Sequence, residues 1–240
     1  FGFNYKKNKN FNKLFASGGN PQGLSQTWQM VSVLENCFDA YSIPQDSWAN
    51  EIDYIYGAKN PYMDNQTQYP YLGLMGVRTD LVGVSSKDNL PIGWNSDMNK
   101  FTSREEGGIS EYDFNVSFNI EDRYYLGITL GAYDVNYKKY SYYTEDIFDD
   151  GGNEGYYELT NWFRTKGSGV DLKLGFIARP IEDSPFRVGF AIHTPTWYNL
   201  SDFHYADITS NIAYMNNGTL GNSERVEEFT PDYTNDGDIR

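Results

Sequence analysis

Between Ser110 and Ile120 the apolar residues Tyr112, Phe114, Val116, Phe118 and Ile120 alternate without exception with Glu111, Asp113, Asn115, Ser117 and Asn119. A period of two sends the two sets to opposite faces of an extended strand and fits no helix. The pattern returns after Glu121-Asp122-Arg123, with Tyr124, Leu126, Ile128, Leu130 and Ala132 opposite Tyr125, Gly127, Thr129 and Gly131. It returns again at Val170, Leu172, Leu174, Phe176 and Ala178, and after the turn Pro180 to Pro185 at Phe186, Val188, Phe190 and Ile192. A weaker strand is expected around Phe203 to Tyr214, and Phe1-Gly2-Phe3-Asn4-Tyr5 reads as another. At Ala132–Tyr133 the apolar set slips by one residue, to Tyr133, Val135 and Tyr137. Such a slip marks a β-bulge or the end of a buried band.

Composition narrows the function classes. The 240 residues carry a formal charge of −14, against the clustered Lys/Arg that nucleic acid demands, so no nucleic-acid partner is expected. A single Cys excludes an internal disulfide and a CxxC zinc site, and two His leave little for a His-rich centre. No stretch approaches the roughly 18 apolar residues of a membrane-spanning helix. With 21 Tyr, 15 Phe and 23 Gly, the composition points to β-structure with an aromatic surface. Phe1 opens directly into strand-like sequence, so either a leader has been removed or the chain is a piece of something longer.

The apolar face of such strands meets either a second sheet, as in a soluble sandwich, or lipid, as in a membrane barrel. Three features favour the barrel. The opposite face carries Asp113, Asp171, Lys173, Arg179 and Arg187, in keeping with a wet lumen. Tyr124 and Tyr125 at one strand end, and Tyr137, Tyr140, Tyr142, Tyr143, Trp197 and Tyr198 at the other, resemble interfacial girdles. Tight turns alternate with long links, one from Tyr140 to about Gly167 and one spanning residues 12–105. The fold expected is all-β: residues 1–240 form one section of an antiparallel transmembrane β-barrel. Five or six strands are too few to close a barrel, which takes about eight or more.

The 12–105 excursion, expected outside the cell, contains one amphipathic stripe. Leu24, Trp28, Val31, Leu34 and Phe38 fall at helical spacing, giving a helix near 24–40 with Ser25 as a cap. The stripe either packs against the loop's own residues or forms an apolar wall at the outer mouth that catches hydrophobic ligands. A second apolar patch runs from Tyr69 to Val84.

The segments Gly108-Ile109-Ser110-Glu111-Tyr112-Asp113-Phe114, Tyr125-Leu126-Gly127-Ile128-Thr129-Leu130-Gly131, Gly167-Ser168-Gly169-Val170-Asp171-Leu172-Lys173-Leu174-Gly175 and Arg187-Val188-Gly189-Phe190-Ala191-Ile192-His193-Thr194-Pro195-Thr196 resemble those of FadL/TodX-type outer-membrane transport proteins, in the form common in Bacteroidetes. The opening strand, with Asn10-Phe11-Asn12, resembles the one that enters that family's first outer loop. The resemblance covers residues 1–15 and 105–205 and implies a barrel of about fourteen strands, plugged by an N-terminal hatch. It implies passive transport of long-chain fatty acids or similar hydrophobic molecules through a gap in the wall, with outer-membrane lipid as the surroundings. The hatch and the closing strands are absent from this sequence, so pocket residues do not carry over. The shift at Ala132–Tyr133 and the proline at Pro195 are candidate wall irregularities, because proline cannot donate to a ladder and marks an edge, a strand end or a gap.

No nucleophile elbow, Walker loop or dinucleotide fingerprint occurs, and neither His193 nor His204 has a paired nucleophile. No enzyme activity, metal or cofactor is expected, the acidic loops Asp149 to Glu154 and Asp232 to Asp238 reading as solvated rather than calcium-binding. The leading expectation is a passive outer-membrane route for hydrophobic small molecules. The alternatives are a barrel of this type with a protein partner docked at its outer loops, and a soluble carbohydrate-binding sandwich.

Overall fold

A computed structural model describes the chain except for residues 60, 61, 63–68, 183, 217, 218, 222, 223, 230–232 and 240. Its first part runs β1 (Gly2–Asn10), β2 (Lys13–Gly19), α1 (Thr27–Ala40), a 3-10 turn (Gln45–Ser47), α2 (Trp48–Gly57), α3 (Tyr71–Arg78) and the short hairpin β3 (Gly83–Val84) and β4 (Pro91–Ile92). Then come β5 (Asn95–Ile120), β6 (Tyr124–Phe148), β7 (Glu154–Ala178), β8 (Val188–His193) and β9 (Trp197–Ala213). A second short hairpin, β10 (Met215–Asn216) and β11 (Thr219–Leu220), precedes β12 (Glu224–Phe229) and β13 (Tyr233–Ile239). Nine strands build one antiparallel sheet in the order β1-β5-β6-β7-β9-β12, with β2 also on β5, β8 on β7 and β13 on β9. The all-β architecture expected from the alternation is present, and the sheet is open among the described residues.

The central strands are longer than their alternation suggested. The 25 residues of β6 span about 80 Å at 3.3 Å each, more than twice a bilayer's hydrocarbon thickness. The Tyr140–Gly167 link is therefore no long loop: β6 and β7 pair without interruption from Tyr124↔Ala178 to Phe148↔Glu154. They turn at Asp149–Asn153, where Asn153 N donates to Asp149 Oδ1 at 2.9 Å. The opposite hairpin, Glu121–Arg123, bends through left-handed backbone at Glu121 and Asp122, with Asn119 Oδ1 accepting from Asp122 N at 3.1 Å. The 12–105 excursion is likewise shorter, because Lys13–Gly19 and the first part of β5 pair with each other as strands. Asp232 lies outside the described residues, and Tyr233–Ile239 forms β13 rather than a loop.

Directly opposed residues share a face, so the register defines the rungs of the sheet. From the Glu121 turn, one face presents the rungs Ile120–Tyr124–Ala178–Val188, Phe118–Leu126–Phe176–Phe190, Val116–Ile128–Leu174–Ile192, Phe114–Leu130–Leu172 and Tyr112–Ala132–Val170–Trp197. Phe3 and Tyr5 of β1 extend the last two. No described residues cover this bare face: Phe114 is 53%, Ile128 45% and Val188 50% exposed. Above Tyr112–Ala132–Val170 the same face turns polar, with Ser110–Asp134–Ser168 as the next rung.

The other face is covered in its upper half. There α1, α2 and α3 pack Met30, Val31, Leu34, Phe38, Ile52, Ile55, Leu74 and Met75 against Ile147, Tyr157, Leu159, Ala206, Ile208 and Ile212 of the sheet. The slip at Ala132–Tyr133 is thus no bulge, since both flanking ladders keep register through it. The apolar side chains leave the bare face at Ala132 and continue on the covered face as Tyr133 and Val135, both buried.

Candidate functional site

Below the helices the covered face holds an ion cluster built from three neighbouring strands. Lys173 Nζ lies 2.7 Å from Glu111 Oε1, 2.9 Å from Asp113 Oδ1 and 3.9 Å from Asp171 Oδ1. The Tyr133 phenol reaches across, 2.7 Å from Asp171 Oδ2 and 3.0 Å from Glu111 Oε1. Asn4 of β1 donates to Asp113 at 3.4 Å. Three carboxylates share one ammonium, and Glu111 and Asp171 are buried. Gly131 makes the cluster sterically possible, because a Cβ there would stand 2.2 Å from Asp171 Oδ1. Sequence reasoning placed Glu111 and Asp113 together on one face of their strand and Asp171 and Lys173 on one face of theirs, but their meeting with each other and with Tyr133 emerges only from the register.

Beside the cluster the wall breaks. β8 and β9 are one strand in two pieces: Lys173 faces His193 and Val170 faces Trp197, so Thr194-Pro195-Thr196 stands opposite only Asp171-Leu172. One residue is in excess, which is the arithmetic of a bulge. Pro195, marked from sequence as an irregularity, occupies its middle. Leu172 is still satisfied: its carbonyl accepts from Thr194 N and its N–H donates to Thr194 Oγ1, both at 2.9 Å. Thr196 Oγ1 turns to Asp171 Oδ2 at 3.4 Å, and Tyr198 meets the Tyr133 ring edge-on at 5.8 Å. The break and the ion cluster are one unit.

Below the cluster lies a rung of small residues, Ser117–Gly127–Gly175–Ala191. With Tyr125 and Ile177 it lines a trough of about 460 Å³. The covered face is open there.

The α1 stripe divides. Val31, Leu34 and Phe38 are buried in the helical core, whereas Leu24 is 75% and Trp28 39% exposed. The helix begins at Thr27, two residues past Ser25, whose Oγ accepts from Thr27 N at 3.0 Å. The Ser25 hydroxyl in turn donates to Glu145 Oε2 at 2.8 Å, tying helix to sheet. The upper girdle expected from sequence is also divided: Tyr140 and Tyr142 lie on the bare face, while Tyr137, Tyr143 and Tyr198 share the rungs of the covered one.

Among the described residues no group of three or more His, Cys, Asp or Glu has the arrangement of a metal site. Comparison with protein-family models, curated proteins and solved structures finds no match to this chain.

Proposed function

We propose that this chain is a sector of an outer-membrane β-barrel that passes hydrophobic small molecules, such as long-chain fatty acids, passively across the membrane. One observation carries the reading: five registered rungs of apolar side chains stand bare, while the reverse face of the same strands holds buried carboxylates and a lysine. A soluble sheet does the opposite. Soluble monomers tolerate contiguous bare apolar patches of roughly 300–600 Å², and this band crosses β5, β6, β7 and the β8/β9 strand and reaches β1. From Tyr112 to Ile120 it runs about 27 Å along the strand, or about 20 Å at the tilt of 35–45° usual in such barrels, close to the apolar height they present to lipid. The edges that lie within the band, β1 and β8, need partners in a membrane, where unpaired backbone is untenable. The resemblance to FadL/TodX-type proteins points the same way.

The transport role is supported by the broken ladder beside an open trough. Cargo descending the inner face would meet small residues that leave it room and a stretch of wall held by the backbone N–H and hydroxyl of one threonine, Thr194. A sideways exit there spares an apolar solute from re-entering water, worth about 0.8 kcal/mol per CH₂. The test is uptake of a radiolabelled long-chain fatty acid by cells producing the protein. Saturable uptake above the vector control supports the reading; membrane-integrated protein without it contradicts transport. Exposed Tyr41, Tyr54 and Tyr56 on the helical cap favour a second reading, in which the cap docks a protein partner.

A further inference from the structure

On an acidic protein, the bare face carries a compact cationic belt just above its apolar band. The rung Gly108–Asn136–Lys166–Ser201 is followed by Glu106–Lys138–Arg164–Phe203 and then by Arg104–Tyr140–Trp162–Tyr205. Arg104 pairs with Glu106. Lys138 and Arg164 stand directly opposite one another, and no ion pair among the described residues engages either of them or Lys166. Like charges facing across a ladder destabilise it, so the pair makes physical sense with an anion between. Lys138, Trp162, Arg164, Phe203 and Tyr205 line a shallow depression of about 560 Å³ there. The buried Nε of Arg164 has no hydrogen-bond partner. Within these rungs Glu106 is the one acid among the described residues, opposite Lys138 and ion-paired with Arg104, while Asp134 lies one rung below Lys166, and Glu158 and Asp207 above Trp162.

Height selects the anion. Lys166 and Arg164 lie four and six residues above Val170, about 13 and 20 Å along the strand. At a tilt of 35–45° that is about 10–15 Å above the hydrocarbon edge. A phospholipid headgroup layer reaches only about 5–8 Å above that edge. The cations overshoot a simple phosphodiester and meet the level of a sugar layer, where the exposed Trp162 ring has saccharide to pack against. We propose that Lys138, Arg164 and Lys166 bind the phosphorylated saccharide head of lipopolysaccharide in the outer leaflet. The proposal rests on the membrane-barrel reading.

The test uses the purified protein in nanodiscs of zwitterionic lipid, titrated with lipopolysaccharide, with the same material dephosphorylated, and with inorganic phosphate. Binding of the phosphorylated form, weakened at least 10-fold by dephosphorylation, by K138Q/R164Q/K166Q and by added salt, is the expected result. R164Q alone is expected to give a smaller loss, which keeps the test informative if the triple variant folds poorly. Equal affinity for both forms, an unaffected triple variant, or saturation by inorganic phosphate alone would overturn the assignment. Heat-modifiable gel migration of the same samples separates the two ideas. An intact barrel that ignores the phosphates overturns only the belt, and a chain soluble without detergent overturns both.

Discussion

The Tyr157 phenol donates to Glu145 Oε2 at 2.6 Å, and both side chains are buried where helix α1 meets the sheet. The same carboxylate accepts from Ser25 Oγ at 2.8 Å and from the Gln26 N–H at 3.1 Å. Its partners are neutral donors and the positive end of a helix, an arrangement that stabilises a buried carboxylate without a cation. Glu145 is thus the pin that holds the helical segment to β6.

Replacing Glu145 with Ala should release that pin and leave the Gln26 N–H and the Ser25 hydroxyl without their acceptor, while the Tyr157 phenol keeps Gln26 Oε1 at 3.2 Å. A loss of about 1–3 kcal/mol in cap stability is expected for each orphaned buried group. Limited proteolysis would read it as faster cutting between residues 20 and 94, with β5–β7 still protected.

Burial first, and then the negative charge of Glu145, push the Tyr157 phenol well above its ordinary range, and Tyr143 is raised by the same two causes. A folded-state value above the unfolded one means that the folded form keeps its proton longer. The contribution is complete below the unfolded tyrosine value of about 10 and is lost as pH rises beyond it. Cap stability should therefore fall steeply above about pH 10. In Tyr157→Phe that fall should be shallower, as measured by tryptophan fluorescence during alkaline titration.

Lys173→Met leaves Glu111, Asp113 and Asp171 without their shared cation. Breaking a buried ion network by removing one partner costs about 3–5 kcal/mol, and denaturant unfolding should show a loss of that order. Gly131→Ala should destabilise through the same cluster, because its methyl group would displace the Asp171 carboxylate.

Deleting Pro195 should restore an uninterrupted ladder, since one residue is in excess between His193 and Trp197. The expected outcome is unchanged membrane integration with fatty-acid uptake lowered several-fold. Uptake at the level of the unmodified protein would mean that the break is no exit.

Much of the lower sheet was legible in the sequence, because at Ser110–Ile120, Tyr124–Ala132 and Val170–Ala178 one environment covers each face. The upper halves of β6 and β7 were not. Beyond Ala132 the bare face becomes polar and the covered face takes up the apolar residues, so the period survives but its phase inverts. With Tyr and charge on both sides, Tyr140 to Gly167 reads as loop. The α1 stripe was visible, yet spacing could not tell that Phe38 faces a core and Leu24 does not. Glu111 and Lys173 lie 62 residues apart and meet only through pairing of β5 with β6 and β6 with β7. No local signal encodes that meeting.

Contact between lipid and the face holding Phe114, Ile128 and Val188 can be measured directly. Fluorescent probes on cysteines placed at Ile128 and Thr129, which point to opposite faces, test it in liposomes whose acyl chains carry bromine. Strong quenching at position 128 with little at 129 is the predicted result. Equal quenching at both, or protection of position 128 alone, would contradict it.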